Sequence, residues 1–393
     1  MLNDFTGADK IYIACGCTDL RKGIDGLARL VQQQFELDPF TNTLFLFCGR
    51  RRDRIKGLYW EKDGFILLYK RLEQGAYQWP RSESEVKTLT PQQYRWLMEG
   101  LQPVYDALHK RLCKEPVLHA DETTLQVLKE PGRSSTSKSY MWLYRTSGCA
   151  KQSIVLYEYQ PTRKAEHAEA FLKGFSGWLH ADGYQGYHKL PGNIRVVGCW
   201  AHARRKFDEA LGTLPQEKRK DSPAAIGECY CSQLFKLEQA LAELTPEERH
   251  KKRLEQEKPV LDALLPWANE MQARTAPKSA LGKAIHYLRE QWPYLTRYLE
   301  DGRLELSNNR AERSMKPFVM GRKNWLFANT PGGAQTSSVI YSLIETAKEN
   351  SLDPYSYLLW VLQTAPQLSE TDEAWAEKLL PANAPEECYM PHK

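Results

Sequence analysis

Two short segments share one chemical pattern. His119-Ala120-Asp121-Glu122-Thr123 and His180-Ala181-Asp182-Gly183-Tyr184 each place an aspartate after a His-Ala step, at the exit of an apolar run. Aspartates at the ends of neighbouring strands can converge on one point above a sheet. A third acid from a packed helix would complete an oxygen cage for hard cations. Two ions held ~3.5–4 Å apart in such a cage grip the attacking and leaving oxygens of a phosphoryl transfer. Strand-end aspartates also cap turns, and residue type with spacing leaves both readings open.

The basic residues gather in three groups. Arg50, Arg51, Arg52, Arg54 and Lys56 form one knot, Arg204, Arg205 and Lys206 a second, and Arg310, Arg313, Lys316, Arg322 and Lys323 a third. Such clusters attract a phosphate backbone, and a solvated surface can carry the same pattern. Cys199 and His202, in the run Cys-Trp-Ala-His, supply half of a tetrahedral zinc set. No nearby pair completes it, since Cys229 and Cys231 are badly spaced, so core packing beside the active site is expected for both. Cys15 and Cys17 are expected in a strand rather than on a metal. Trp325 and Phe327 offer rings for stacking on an unpaired base, with a core role the competing expectation.

These groups need a scaffold of more than one domain, and 393 residues with 42% hydrophobic content provide enough chain to bury two or three cores. The net charge of +5 is mild, so the local clusters say more than the total. Nine cysteines spread over a long chain fit reduced thiols. No apolar run approaches the ~18 residues of a membrane span. The N-terminus has acids before its first base and lacks an apolar core, so no signal peptide is expected and the cytoplasm is the expected location.

Residues 1 to about 101 read as a small α+β unit. Ile11 to Cys15 and Leu44 to Phe47 are expected strands, and Leu20, Ile24, Leu27, Val31 and Phe35 recur at helical spacing between them. Segments 57–60 and 65–70 flank Asp63-Gly64, a pair suited to a tight hairpin, and Thr90-Pro91 opens a short helix. After a helix over about 101–116, strands are expected at Val117–Asp121, 139–146, 153–159, 177–182 and 194–199, with a helix over about 164–174. That order is the order of a ribonuclease H-like sheet. Residues 201–300 read as helical, with Leu281, Ile285, Leu288, Trp292, Leu295 and Leu299 marking one amphipathic helix. Ser307-Asn308 is a suitable N-cap for a helix carrying Glu312, and two more helices are expected at 338–349 and 354–364 before a loose tail.

The runs HADETTLQVL, SGWLHADGYQGYHKL, VVGCWAHARRKFDEAL and the long segment from LSNNRAERSMKPF to SLDPYSYL resemble the transposase of insertion sequence family 66, over about residues 102–393. The resemblance implies a DDE transposase, a metal-dependent polynucleotidyl transferase. Asp121, Asp182 and Glu312 would be its carboxylates, binding two Mg²⁺ (or Mn²⁺) ions. With 60 residues between the aspartates and 129 between Asp182 and Glu312, an inserted helical subdomain is implied, and 201–300 supplies one. The implied partners are DNA, at element ends and target, a second copy of the chain on DNA, and other transposition proteins of the element, with no membrane. TDLRKGIDGL, GRRRDRIKGLYWEKDGF and EQGAYQWPR resemble the same element's small accessory protein, fused near Glu99 to Gln102.

The expected architecture is therefore α/β: an accessory-like α+β domain at 1–101, a ribonuclease H-like catalytic domain at 102–330 with a long helical insertion, and a C-terminal helical segment at 331–393. The coiled-coil, Cys-rich and helix-turn-helix region usual in such transposases is not recognisable here. End-specific DNA readout is accordingly expected to be weak, and a DNA-binding or regulatory fusion that does not transpose is the alternative reading.

Overall fold

The computed structural model describes residues 8–51, 54–71, 101–325 and 327–390. It is a mixed α/β structure with two sheets and, among the described residues, twelve α-helices. None of the helices is long and apolar enough to cross a membrane.

The first sheet takes β1 (Lys10–Ile13), β2 (Thr43–Cys48), β3 (Arg54–Glu61) and β4 (Gly64–Arg71) in sequence order. β1 and β2 are parallel because α1 (Ile24–Gln34) crosses between them, and the other pairs are antiparallel. The helical spacing of apolar residues explains α1: Leu27 and Val31 pack on Phe45, Phe47 and Leu58 of the sheet. The hairpin turn sits one residue earlier than expected. Glu61 pairs with Gly64, so Lys62 and Asp63 make the turn and Lys62 takes the positive φ of 46°. β1 ends at Ile13, which leaves Cys15 and Cys17 in the following loop and not in the expected strand. The EQGAYQWPR run, the Thr90-Pro91 helix and Arg52 lie outside the described residues.

The second sheet has the order β7-β6-β5-β8-β9, built from β5 (Val117–Gln126), β6 (Lys138–Thr146), β7 (Val155–Gln160), β8 (Gly177–His180) and β9 (Ile194–Val197). β5, β6 and β7 are antiparallel neighbours, while β5, β8 and β9 run parallel. Alternate side chains face opposite layers. Leu118, Ala120, Trp142, Tyr144 and Leu156 bury against α2 (Gln102–Leu112), α3 (Ala165–Phe171) and two C-terminal helices. Leu125, Met141, Leu143, Val155 and Tyr157 bury against the helix that carries Glu312.

Five helices follow β9: α4 (Trp200–Gly212), α5 (Pro223–Ala240), α6 (Pro246–Gln256), α7 (Lys258–Arg274) and α8 (Ala280–Leu295). Ser222, Thr245 and Ser279 cap three of them by accepting backbone N–H bonds. α4, α5, α7 and α8 share a core around Trp200, Phe207, Leu264, Ile285 and Leu288. The chain then returns to the sheet with α9 (Asn309–Trp325) and α10 (Pro331–Glu349), followed by α11 (Pro354–Thr371) and α12 (Trp375–Lys378).

Two expectations need correction. β5 does not stop at Asp121 but runs on to Gln126, since Thr123, Thr124 and Leu125 continue the ladder with β6. The chain end is not loose. Leu379, Leu380 and Cys388 are buried in the main core, Tyr357 Oη donates to Leu379 O at 2.8 Å, and Asp353 N donates to Cys388 O at 2.8 Å.

Candidate active site

Asp121 sits in the middle of β5, paired with Leu143 of β6 and two residues past the end of the ladder with β8. Its Oδ1 accepts the Glu122 N–H at 2.9 Å. Burial pushes its pKa well above the ordinary carboxylate value, and the charges of Glu122, Asp182 and Glu312 push it the same way. Asp182 and Glu312 are therefore both close enough to act on the charge of Asp121.

Asp182 lies two residues past β8 and folds back so that Oδ1 accepts the Tyr184 N–H at 2.9 Å. Gly183 beside it permits a close approach to α8: a Cβ there would lie 2.8 Å from the Tyr287 ring. Glu312 occupies the first turn of α9. Its carboxylate faces α4, with Oε2 3.4 Å from Arg205 Nη2 and Oε1 3.7 Å from His202 Nδ1. Oε1 is buried and makes no hydrogen bond.

A buried polar web behind these acids ties the segments together. Asn308, just before α9, spends its side chain on β5 and not on capping its own helix. It accepts from His119 Nδ1 at 3.0 Å and donates to Ala120 O at 2.8 Å, while its backbone N–H reaches Cys199 Sγ at 3.1 Å. His119 and His180 are fully buried and stacked, with centroids 4.5 Å apart, and His180 Nε2 accepts the Glu305 N–H at 3.1 Å. Burial lowers the pKa of His119 to about 3 and that of His180 well below its ordinary value. Both rings are neutral struts, which the sequence offered only as repeated His-Ala-Asp steps.

A second support lies on the other side of Asp121. The buried carboxylate of Glu122 accepts from Arg163 Nε at 2.6 Å and from Tyr187 Oη at 2.5 Å. Arg163 also stands over the Tyr184 ring at 3.9 Å and reaches Asp182 Oδ2 at 3.8 Å. Neither Glu122 nor Arg163 stands out in the sequence, since nothing in their spacing links them. Arg163, Asp182, Gly183, Tyr184, Gln185, His202 and Tyr287 line an open cleft of about 430 Å³.

Cys199 is buried as expected, with its thiol pKa pushed up to about 11 by that burial. His202 is part-buried beside the acids, facing Glu312 with Asp182 acting on it as well. Cys199, His202 and Glu312 each offer a ligand atom within 4.8 Å of the others. The three carboxylates suit a hard divalent cation better. They are all oxygen donors, Asp182 and Glu312 both act on the charge of Asp121, and Glu312 Oε1 is buried and unbonded, although among the described residues the three do not bring their oxygens within 4.8 Å of one another.

The cations of the sequence clusters take different surroundings. Arg205 meets Glu312, whereas Arg204 turns to Glu228 at 2.9 Å on α5 and Lys206 pairs with Glu209 at 3.2 Å on its own helix. Arg310 is held by Glu305 at 2.6 Å and Arg322 by Thr124 Oγ1 at 3.0 Å, while Arg313 and Lys316 are exposed on α9. Lys323 lies on α9. Trp325 ends the same helix, and Phe327 beyond it is half-buried. Arg50, Arg51, Arg54 and Lys56 belong to the first sheet and its loops.

Three family models match the chain. Residues 71–336 match the Transposase IS66 family, residues 9–105 the IS66 Orf2 like protein and residues 342–382 the IS66 C-terminal element. In Sinorhizobium fredii (strain NBRC 101917 / NGR234), the uncharacterized protein y4qI is 33% identical over 301 residues, covering 72% of this chain and 53% of the relative. From the same organism, y4hP is 30% identical over 280 residues, covering 67% of this chain and 50% of the relative. A shorter relative there, y4hO, is 35% identical over 92 residues, covering 23% of this chain and 80% of itself. The chain thus spans about half the length of the longer curated relatives it matches. No solved structure matches.

Proposed function

The chain belongs to the IS66 transposase family, and from that premise we propose that it cleaves DNA at the ends of an insertion sequence and transfers the freed strand into target DNA. In this reading residues 102–330 form a ribonuclease H-like DDE domain with a helical insertion at about 201–300, preceded by an accessory-like domain and followed by a C-terminal helical segment. Asp121, Asp182 and Glu312 would hold two Mg²⁺ (or Mn²⁺) ions. Bound there, the ions would activate the attacking oxygen and neutralise charge on the leaving one.

The observation that carries the reading is the Asn308 web, which clamps the helix bearing Glu312 onto the strand bearing Asp121; in support, the Asp121 carboxyl is raised chiefly by burial and by Glu122, with Asp182 and Glu312 adding to it. Three acids brought from a strand, a strand exit and a helix have no structural reason to share one charge environment. The rest of the proposal concerns what the chain does around them. The mid-strand position of Asp121 fixes one ligand, and the Asn308 web fixes the helix that presents Glu312. Arg205, Arg313 and Lys316 would take DNA phosphates beside the acids, with Arg310, Arg322 and Lys323 on the same helix. First, water would attack the phosphodiester at an element end; the resulting 3′-hydroxyl would then attack a target phosphodiester. Both ends must be held at once, so more than one copy would act on DNA.

A strand-transfer assay with pre-cut element ends and Mg²⁺ tests the proposal. Joined products are expected. Cutting without joining would make the protein a nuclease, and binding without change to the DNA would make it a regulator.

A further inference from the structure

The first sheet carries a cleft that the carboxylate reading leaves unassigned. It holds about 650 Å³ and is lined by Cys17–Arg21 after β1, by Gly49, Arg50 and Arg51 after β2, and by Arg54 and Tyr69 of the hairpin. The hairpin register places Lys56 opposite Tyr69, and Arg54 two residues before Lys56 on the same face. Leu58 and Leu67 continue that face into the core under α1, yet Tyr69 keeps 50% of its surface exposed. Four arginines line the cleft against one aspartate, and that aspartate, Asp19, is paired with Arg21 at 2.8 Å. Lys56 Nζ donates to Lys22 O at 2.8 Å, which holds a further cation at the cleft's edge.

We propose that this cleft binds an unpaired DNA strand, with phosphates on Arg50 and Arg51 and a base stacked on Tyr69. The charge alone would suit any phosphate chain. The exposed ring inside the concavity selects among them. A duplex keeps its bases stacked on one another and presents phosphates outward, so it gains nothing from a ring in a cleft. A free phosphate has no π-face to offer. An unpaired strand uses both features, and stacking on aromatic side chains tolerates any base. The inference is independent of the carboxylate reading, because binding needs neither metal nor catalysis.

The test uses the full chain carrying Asp121→Asn, without metal. Fluorescence anisotropy is read with labelled oligothymidine of about 12 nucleotides and with a duplex of equal length. The duplex affinity of the parent, measured first, is the reference for every variant. Tyr69→Ala should weaken binding of the unpaired strand by about 5- to 150-fold and leave duplex binding unchanged. Tyr69→Phe, which keeps the π-face, should retain wild-type affinity. Arg50→Ala with Arg51→Ala should flatten the dependence of log affinity on log salt by ~0.7 for each phosphate no longer neutralised. The proposal is overturned if Tyr69→Ala binds the unpaired strand as tightly as the parent. It is equally overturned if both DNA forms lose affinity alike, or if the salt slope stays unchanged in the arginine variant.

Discussion

His119 Nδ1 donates to Asn308 Oδ1 at 3.0 Å across 189 residues of sequence, and the same amide donates to Ala120 O. One side chain thus clamps the start of the Glu312 helix to the strand that carries Asp121. All three partners are buried, so water cannot replace a lost bond.

Asn308→Ala should therefore cost about 1–3 kcal/mol of stability, the usual penalty for leaving a buried polar group unpaired. It should also lower metal-dependent DNA cleavage, because α9 loses its register on β5. Urea unfolding measures the first effect and a cleavage assay the second. A variant with full stability and full cleavage would show that Asn308 clamps nothing.

The buried histidines set a pH limit. His119 has its pKa lowered to about 3 by burial, with Arg310, Arg145 and Arg313 adding to the effect and the Asn308 hydrogen bond opposing it. His180 is lowered too, chiefly by burial and by His119, against the opposing charge of Glu305. Between about 3 and the unfolded value near 6.5 the unfolded chain binds protons that the folded chain refuses. Stability should accordingly be complete above about pH 6.5 and fall as the pH drops, by up to ~1.4 kcal/mol per pH unit for each histidine. His119→Asn should flatten that slope by one proton's worth. Denaturation midpoints at several pH values give the comparison, and parallel curves for parent and variant would contradict it.

Glu349 supports the sheet from α10. Its carboxylate receives Arg145 Nη2 at 2.8 Å and Nη1 at 3.1 Å, and Arg145 is 2% exposed while Glu349 is 36% exposed. Removing the acid leaves the buried guanidinium with only Thr146 O and Ser314 Oγ as partners, and Glu349 is itself partly exposed, so Glu349→Ala should cost about 1.5–3 kcal/mol. By contrast, Arg205→Ala breaks a half-exposed pair with Glu312 and should cost at most ~1 kcal/mol. Any loss of cleavage in the Arg205 variant would then report on the site and not on folding. Thermal unfolding of the two variants side by side decides it, and equal losses would refute the distinction.

The sequence made the order of strands readable, because apolar runs and helical spacing are local. It also made the three acids nameable through the resemblance of their surrounding motifs. The extension of β5 past Asp121 was hidden because Asp121-Glu122-Thr123-Thr124 looks like a turn until β6 is available to pair with it. The ordered chain end was hidden for a similar reason: Leu379, Leu380 and Cys388 are sparse, and only the core they fill makes them structural. Glu122 with Arg163, and Asn308 with His119, are bonded across 41 and 189 residues. No local pattern encodes such pairs.

The acids themselves supply the last prediction. Asp121→Asn, Asp182→Asn and Glu312→Gln should each lower metal-dependent cleavage by at least ~10²-fold, since each removes a ligand from a site worth several kcal/mol of transition-state stabilisation. Folding should survive all three changes. For Asp121 the sign is favourable: its folded pKa is raised by burial and by Glu122, Asp182 and Glu312, so its stabilising contribution is fully present only below the unfolded value of 3.8. That contribution is lost as pH rises through the folded value. At neutral pH without metal, Asp121→Asn should thus be at least as stable as the parent, because the amide keeps an oxygen for the Glu122 N–H. Adding Mg²⁺ should raise the melting temperature of the parent and not that of the variant. Cleavage near the parental rate in any of the three, or an equal Mg²⁺ shift in Asp121→Asn, would take these residues out of the metal site.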